Sequence, residues 1–278
     1  MPQGQELRAP PQTRNFTEVL NVNSDFSDGL RVLYANVDSL LNKRAELLST
    51  IEELNSDFIL LTEVLPKNCT NLNLCEFSIE GYDLMIPSIK TGRGVAIYAK
   101  STLSANIDES LMNSEYAESV WCRINLKGTD SLLVGVVYRS PNSTDVNNYL
   151  LNELIVKATR MKDTHILITG DFNLRDIDWS TSESRVGDIT STAFIECVND
   201  CYLTQHVTEN TRFREGNLPS LLDLLLTNEE GMIDNIEYMH PLGKSDHIMM
   251  NFVLNCYTEK QEQDSPRFLY HKGNYTCI

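Results

Sequence analysis

Between residues 30 and 254 the chain alternates two kinds of hydrophobic pattern. Residues 30–37 form a β-rich run, and residues 40–54 carry apolar side chains at 41, 45, 48 and 51, a spacing that drifts like a helix. Residues 57–64 read as a short buried strand and 94–99 as another, after the turn-prone Thr91-Gly92-Arg93. In residues 119–126 Val120, Cys122, Ile124 and Leu126 share one face, and 132–138 follows after Lys127-Gly128-Thr129-Asp130, a hairpin turn. The pattern predicts helices at 146–161 and 191–201, and strands at 165–169, 221–227 and 246–254. Hairpins mixed with βα units predict an α/β fold: a four-layered sandwich of two packed mixed β-sheets flanked by helices.

The ends of the chain break this pattern. Residues 1–29 are polar, with prolines at 2, 10 and 11, and read as a mobile leader; residues 257–278 read as a polar linker. The domain is therefore expected over 30–256. The leader carries two basic and four acidic residues and the tail three of each, so the folded part holds −14 of the net −16. That deficit excludes a protein that coats nucleic acid by bulk charge, but not an enzyme that grips a phosphodiester through a few local groups. Seven cysteines without a CxxC pair read as buried thiols of a reducing compartment rather than a zinc site. With no apolar leader and no apolar run long enough to span a bilayer, the expectation is an intracellular protein without a membrane partner.

Chemistry enters where polar residues end apolar runs. Asn36 and Asp38 close the first strand, Glu63 the second, Tyr138 and Arg139 a third, Asp171 and Asn173 a fourth. Asp223 lies among five leucines, and Ser245-Asp246-His247 precedes the last strand. Strand ends are where α/β folds gather ligand and catalytic groups, and carboxylate, amide, imidazole and phenol are what a hard divalent cation and an attacking water require. Singly, each has a plainer reading: an Asx turn at Asn36, a solvated end at Glu63, a core aromatic at Tyr138. Asp223 is the exception, because a carboxylate among leucines needs a partner, and His247 is the obvious one.

Taken in order, the phrases YANVDSLLNK, FILLTEV, GRGVAIYAK, VVYRSPN, ILITGDFN, TRFREGNLPSLLDLLLTN and PLGKSDH resemble the endonuclease/exonuclease/phosphatase superfamily. The resemblance is to the endonuclease domain of jockey-like non-LTR retrotransposons, over about residues 30–254. It implies Mg²⁺-dependent (or Mn²⁺-dependent) phosphodiester cleavage. Asn36, Asp38, Glu63 and Asp246 would lie at the metal, and Tyr138 at the scissile phosphate. Asp171 and Asn173 would position and activate water, with Asp223 orienting His247. Arg139, Thr211, Arg212 and Ser220 would contact DNA. Either Asp171 or His247 would be the general base.

The resemblance also implies DNA as partner, with the nucleus as the place of action, and a nick that leaves a 3′-hydroxyl for a reverse transcriptase. The tail RFLYHKGNY resembles the segment that precedes that enzyme in such polyproteins. Two other readings compete: a superfamily phosphatase or phosphodiesterase acting on a lipid or nucleotide phosphate, which the net charge of −16 keeps open, and a catalytically inactive relic.

Overall fold

The computed structural model describes residues 29–67, 74–87 and 92–256. The expectations for the leader and the linker lie outside these residues. The strands are β1 (Leu30–Asn36), β2 (Phe58–Thr62), β3 (Tyr82–Met85), β4 (Val95–Lys100), β5 (Asn106–Ile107), β6 (Ser119–Asn125) and β7 (Ser131–Tyr138). They continue with β8 (His165–Asp171), β9 (Ile177–Asp178), β10 (Glu183–Ser184), β11 (Thr204–Gln205), β12 (Asp223–Thr227), β13 (Ile233–Met239) and β14 (Met249–Leu254). The helices are α1 (Arg44–Leu54), α2 (Glu109–Met112), α3 (Asp145–Thr159) and α4 (Ile189–Asp200).

Two six-stranded sheets result, ordered β13-β14-β1-β2-β4-β3 and β11-β12-β8-β7-β6-β5. Each contains one parallel pair, β1 with β2 and β7 with β8, among antiparallel neighbours. Strand periodicity explains the layers. Val32 and Tyr34 of β1 meet Val134 and Val136 of β7 and Leu225 of β12 in the layer between the sheets. The alternate residues Leu33 and Ala35 turn outward onto Leu47 and Ile51 of α1. Leu133 and Ile168 likewise face Leu154 of α3 and Phe194 of α4. Helix, sheet, sheet and helix therefore make the expected four layers.

The differences from the sequence reading are local. The helix expected from residue 40 starts at Arg44 because residues 41–43 take a tighter 3-10 turn. The strand at 246–254 begins at Met249, and β8 runs on through Asp171 instead of stopping at Thr169. β3 and β13 were missed: both are edge strands with half-exposed patterns and little hydrophobic signal. The Lys127–Asp130 turn is closed by the Leu126 amide donating to the Asp130 carbonyl at 2.8 Å. Cys122, Cys197 and Cys256 are buried thiols.

Gly170 is the tightest backbone position of β8. Its φ is +155°, and a Cβ there would lie 1.8 Å from the Val137 carbonyl oxygen. Replacing it with alanine must push β7 away from β8 immediately beside Asp171. We expect G170A to lose more than about 3 kcal/mol, or to fail to fold. G231A, where a Cβ meets nothing within 4 Å, should change stability by less than about 1 kcal/mol. Matched thermal melts followed by circular dichroism check this; equal melting temperatures would contradict it.

Candidate active site

Sheet register assembles the polar residues. Tyr138 stands opposite Asp171 across the β7–β8 pair, and Asp171 opposite Asp223 across β8–β12. All three share the parity of the inward-facing residues, so they form one row across the second sheet, pointing into the space between the sheets. On the first sheet, Asn36 stands opposite Thr62 with the same inward parity. The two rows meet. Asn36 Nδ2 donates to Asp171 Oδ2 at 3.0 Å, and the Tyr34 hydroxyl donates to Asp223 Oδ1 at 2.6 Å.

His247 closes the row from the loop before β14. Its Nδ1 lies 2.7 Å from Asp223 Oδ2, and its Nε2 is 3.9 Å from Asp171 Oδ2 and 3.8 Å from Asp246 Oδ1. Ser245 fixes this loop by donating its hydroxyl to the Asn36 carbonyl at 2.7 Å. Thr211 Oγ1 accepts the Leu222 and Asp223 amides at 3.1 and 3.0 Å, which sets where Asp223 begins.

Burial makes the electrostatics severe. Asp171 is 1% exposed and Asp223 fully buried. Burial, reinforced by the Asp223 charge and opposed by His247, pushes the Asp171 carboxyl up to about 8. For His247 burial acts downward, but the Asp223 charge and hydrogen bond, with Asp171 behind them, outweigh it and raise the imidazole to about 9. Burial followed by the Glu63 and Asp171 charges holds the Tyr138 phenol well above its ordinary value, so it remains a hydrogen-bond donor.

The row opens into a cleft of about 620 Å³ whose walls include Asp38, Glu63, Tyr138, Asp171, Asn173 and His247. Asp38, Glu63 and Asn173 hold left-handed backbones with φ of 34°, 54° and 51°. Such conformations cost on the order of 1 kcal/mol each for residues other than glycine. The loops are pinned to bear that cost: the Ser39 amide donates to the Glu63 carbonyl at 2.8 Å, and the Asn173 amide to Asp171 Oδ1 at 3.2 Å.

Some expected roles need correction. Arg139 does not face the cleft. It is 6% exposed, with Nη1 donating to the Phe172 and Asn173 carbonyls at 3.2 Å and Nε to Asn148 at 2.8 Å, so it braces the Asp171 turn and is no surface phosphate contact. Thr211 is fully buried and supports Asp223 instead of reaching DNA. Ser220 pairs through its backbone with Arg212, and its side chain borders the neighbouring cleft. Asn36 ties the sheets together, its Oδ1 accepting the Asp38 amide at 3.2 Å. Arg212 does line the site, with Nε 2.9 Å from Asp246 Oδ2.

Tyr34, Thr62 and Lys67 were not foreseen. Tyr34 carried a signal in its inward parity; Lys67, on the cleft wall, carried none. Arg93, in the turn-prone stretch before β4, binds both Asp38 and Glu63.

A hard divalent cation fits this cleft. Asp171, Asp223 and His247 have ligand atoms within 4.8 Å of one another, yet His247 and Asp223 are already spent on each other. Glu63, Asp38 and Asp246 line the cleft together with Asp171. Hard oxygen donors suit Mg²⁺ or Mn²⁺, and a carboxyl pushed up to about 8 by burial and by the Asp223 charge is one that such a cation would relieve.

Comparison with known proteins follows the same lines. The family model described as Endonuclease-reverse transcriptase matches residues 132–251. Among solved structures, the endonuclease domain of TRAS1, a telomere-specific non-LTR retrotransposon, is 18% identical with a TM-score of 0.63, covering 81% of this chain and 98% of that one. The AP endonuclease LMAP from Leishmania major is 16% identical with a TM-score of 0.65, covering 84% and 90%. The 3′-5′ exonuclease NExo from Neisseria meningitidis is 16% identical with a TM-score of 0.59, covering 81% and 99%. No curated protein sequence matches. The chain thus carries the fold of the endonuclease/exonuclease/phosphatase superfamily. Within that class it resembles the endonuclease of non-LTR retrotransposons.

The dyad gives stability a definite pH dependence. The folded His247 value, about 9, lies above its ordinary 6.5, so its contribution is complete below about 6.5 and lost as pH rises through about 9. Asp171, raised from 3.8 to about 8, acts with the same sign over its own range. In EDTA the melting temperature should therefore fall between pH 6.5 and 9, and fall less in D223N. A flat or rising wild-type profile would contradict this charge assignment.

Proposed function

We propose that this protein is a metal-dependent DNA endonuclease that nicks a phosphodiester and leaves a 3′-hydroxyl for a reverse transcriptase to extend. The observation that carries this reading is the buried row Tyr138–Asp171–Asp223, closed by His247 and opening into the cleft that holds Glu63. Asp171, its carboxyl pushed up by burial and by Asp223, has the proton affinity to take a proton from water once a bound cation leaves it ionised, whereas His247, raised by Asp223, carries its proton already. This favours Asp171 as general base. The His247 imidazolium, oriented by Asp223, then faces the negative charge that develops on the phosphate, and the Tyr138 hydroxyl donates to the same group. Glu63, with Asp38 and Asp246, would hold Mg²⁺ or Mn²⁺, which when bound polarises the phosphoryl oxygens.

A superfamily phosphatase acting on a lipid or nucleotide phosphate would use similar groups. The cations favour nucleic acid. Lys67, Arg214 and Lys244 line the cleft and make no ion pair among the described residues. Incubating the protein with supercoiled plasmid and Mg²⁺, beside a panel of lipid and nucleotide phosphates, tests the proposal. Turnover of the panel with intact plasmid would overturn it, and no turnover of either would favour a relic.

Three outcomes follow. Nicking should stop in EDTA, and E63Q should slow it by about 10²-fold or more, because a neutral amide holds a hard cation poorly; full activity in EDTA would refute the metal. H247A and D223A should each reduce nicking severely, with the double variant little worse than either single one; multiplicative losses in single-turnover assays would show that they act apart. Duplex binding, read by fluorescence anisotropy, should fall with salt at a slope of about −3, as for three phosphate contacts. R214A and K244A should weaken it, and K127A, in the β6–β7 turn, should not.

A further inference from the structure

Arg93 is bound where a cation would have to bind. Its Nε and Nη2 donate to the same Glu63 oxygen, Oε2, at 3.0 and 2.6 Å, and Nη2 also binds Asp38 Oδ1. One guanidinium thus spans the two carboxylates on that side of the cleft. The backbone around it is prepared for this placement. Gly92 and Gly94 flank it with φ of +116° and +74°, and the Arg93 amide donates to Glu118 Oε1 at 2.8 Å. A Cβ on Gly92 would lie 2.2 Å from that same Glu118 oxygen, so glycine there lets the carboxylate close onto the loop. On the far side the Leu65 amide donates to the Arg93 carbonyl at 2.8 Å, fastening the arginine to the turn that carries Glu63. The loop is anchored at Glu118 and Leu65, while among the described residues the side chain is held by the two carboxylates.

We infer that Arg93 is a seat-holder: its guanidinium and a divalent cation compete for the oxygens of Glu63 and Asp38, and when displaced it turns to a phosphate of the substrate. This rests on the metal-dependent reading above and deepens it. Two cations cannot share one carboxylate oxygen at close range without repulsion, so metal entry must displace the guanidinium. An arginine freed within the cleft is suited to phosphate, whose oxygens it binds in the same forked manner as a carboxylate. Arg93 therefore opposes metal and supports DNA, and Glu118 is a positioning residue that keeps the side chain within reach of both.

The test is direct metal binding, read by Mn²⁺ electron paramagnetic resonance on the full chain, followed by duplex affinity in Ca²⁺ by fluorescence anisotropy. R93A should bind Mn²⁺ about 10-fold or more tightly than wild type and bind duplex more weakly. K67A removes a cleft charge that makes no ion pair among the described residues and should change Mn²⁺ affinity less than about 2-fold. Equal Mn²⁺ affinities in wild type and R93A, or an equal gain in K67A, would overturn the seat-holder while leaving the endonuclease reading intact. No Mn²⁺ binding by either protein would overturn both. Unchanged duplex affinity in R93A would overturn the phosphate half alone.

Discussion

Two carboxylates lie side by side in the interior of this protein. Asp171 and Asp223 are register partners in neighbouring strands, both buried between the sheets. Each buried charge costs several kcal/mol before compensation, and two adjacent ones repel. The surroundings answer that cost. Asp223 takes the Tyr34 hydroxyl and the His247 ring, and Asp171 takes the Asn36 amide and the Asn173 backbone. Tyr34 and Asn36 come from the opposite sheet, so the same bonds that satisfy the carboxylates join the sheets at this end.

The compensation is incomplete, which gives the site its chemistry. His247 supplies one positive charge between two carboxylates, and Asp171 is left with a raised affinity for a proton. Tight packing keeps the arrangement from relaxing. Gly170 lets β8 press against Val137, Arg139 braces the following turn through two carbonyls, and the Ser245 hydroxyl holds the His247 loop to Asn36. The left-handed turns at Asp38, Glu63 and Asn173 all occur where chain leaves the sheets for the cleft.

Much of this was legible in the sequence because the site breaks a strong pattern. Apolar strands ending in Asn36, Glu63, Tyr138 and Asp171 announce themselves, and Asp223 among leucines demanded a partner that His247 provides. What was not legible depends on direction and distance. Nothing local says that Arg139 turns inward to carbonyls, that Thr211 supports Asp223 through its backbone amides, or that Arg93 reaches Asp38 and Glu63. Edge strands β3 and β13 escaped because their exposure blurs the alternation that identifies a strand.

The central claim is that Asp171 is held buried beside Asp223 with a raised affinity for a proton, at a cost to stability. D171N keeps the shape and one acceptor oxygen while removing the carboxyl group that can take up a proton. Measured together on the same purified variant, plasmid nicking should fall by about 10³-fold or more while the melting temperature in EDTA stays the same or rises. A variant that nicks at the wild-type rate, or one that loses activity only because it has unfolded, would contradict the account.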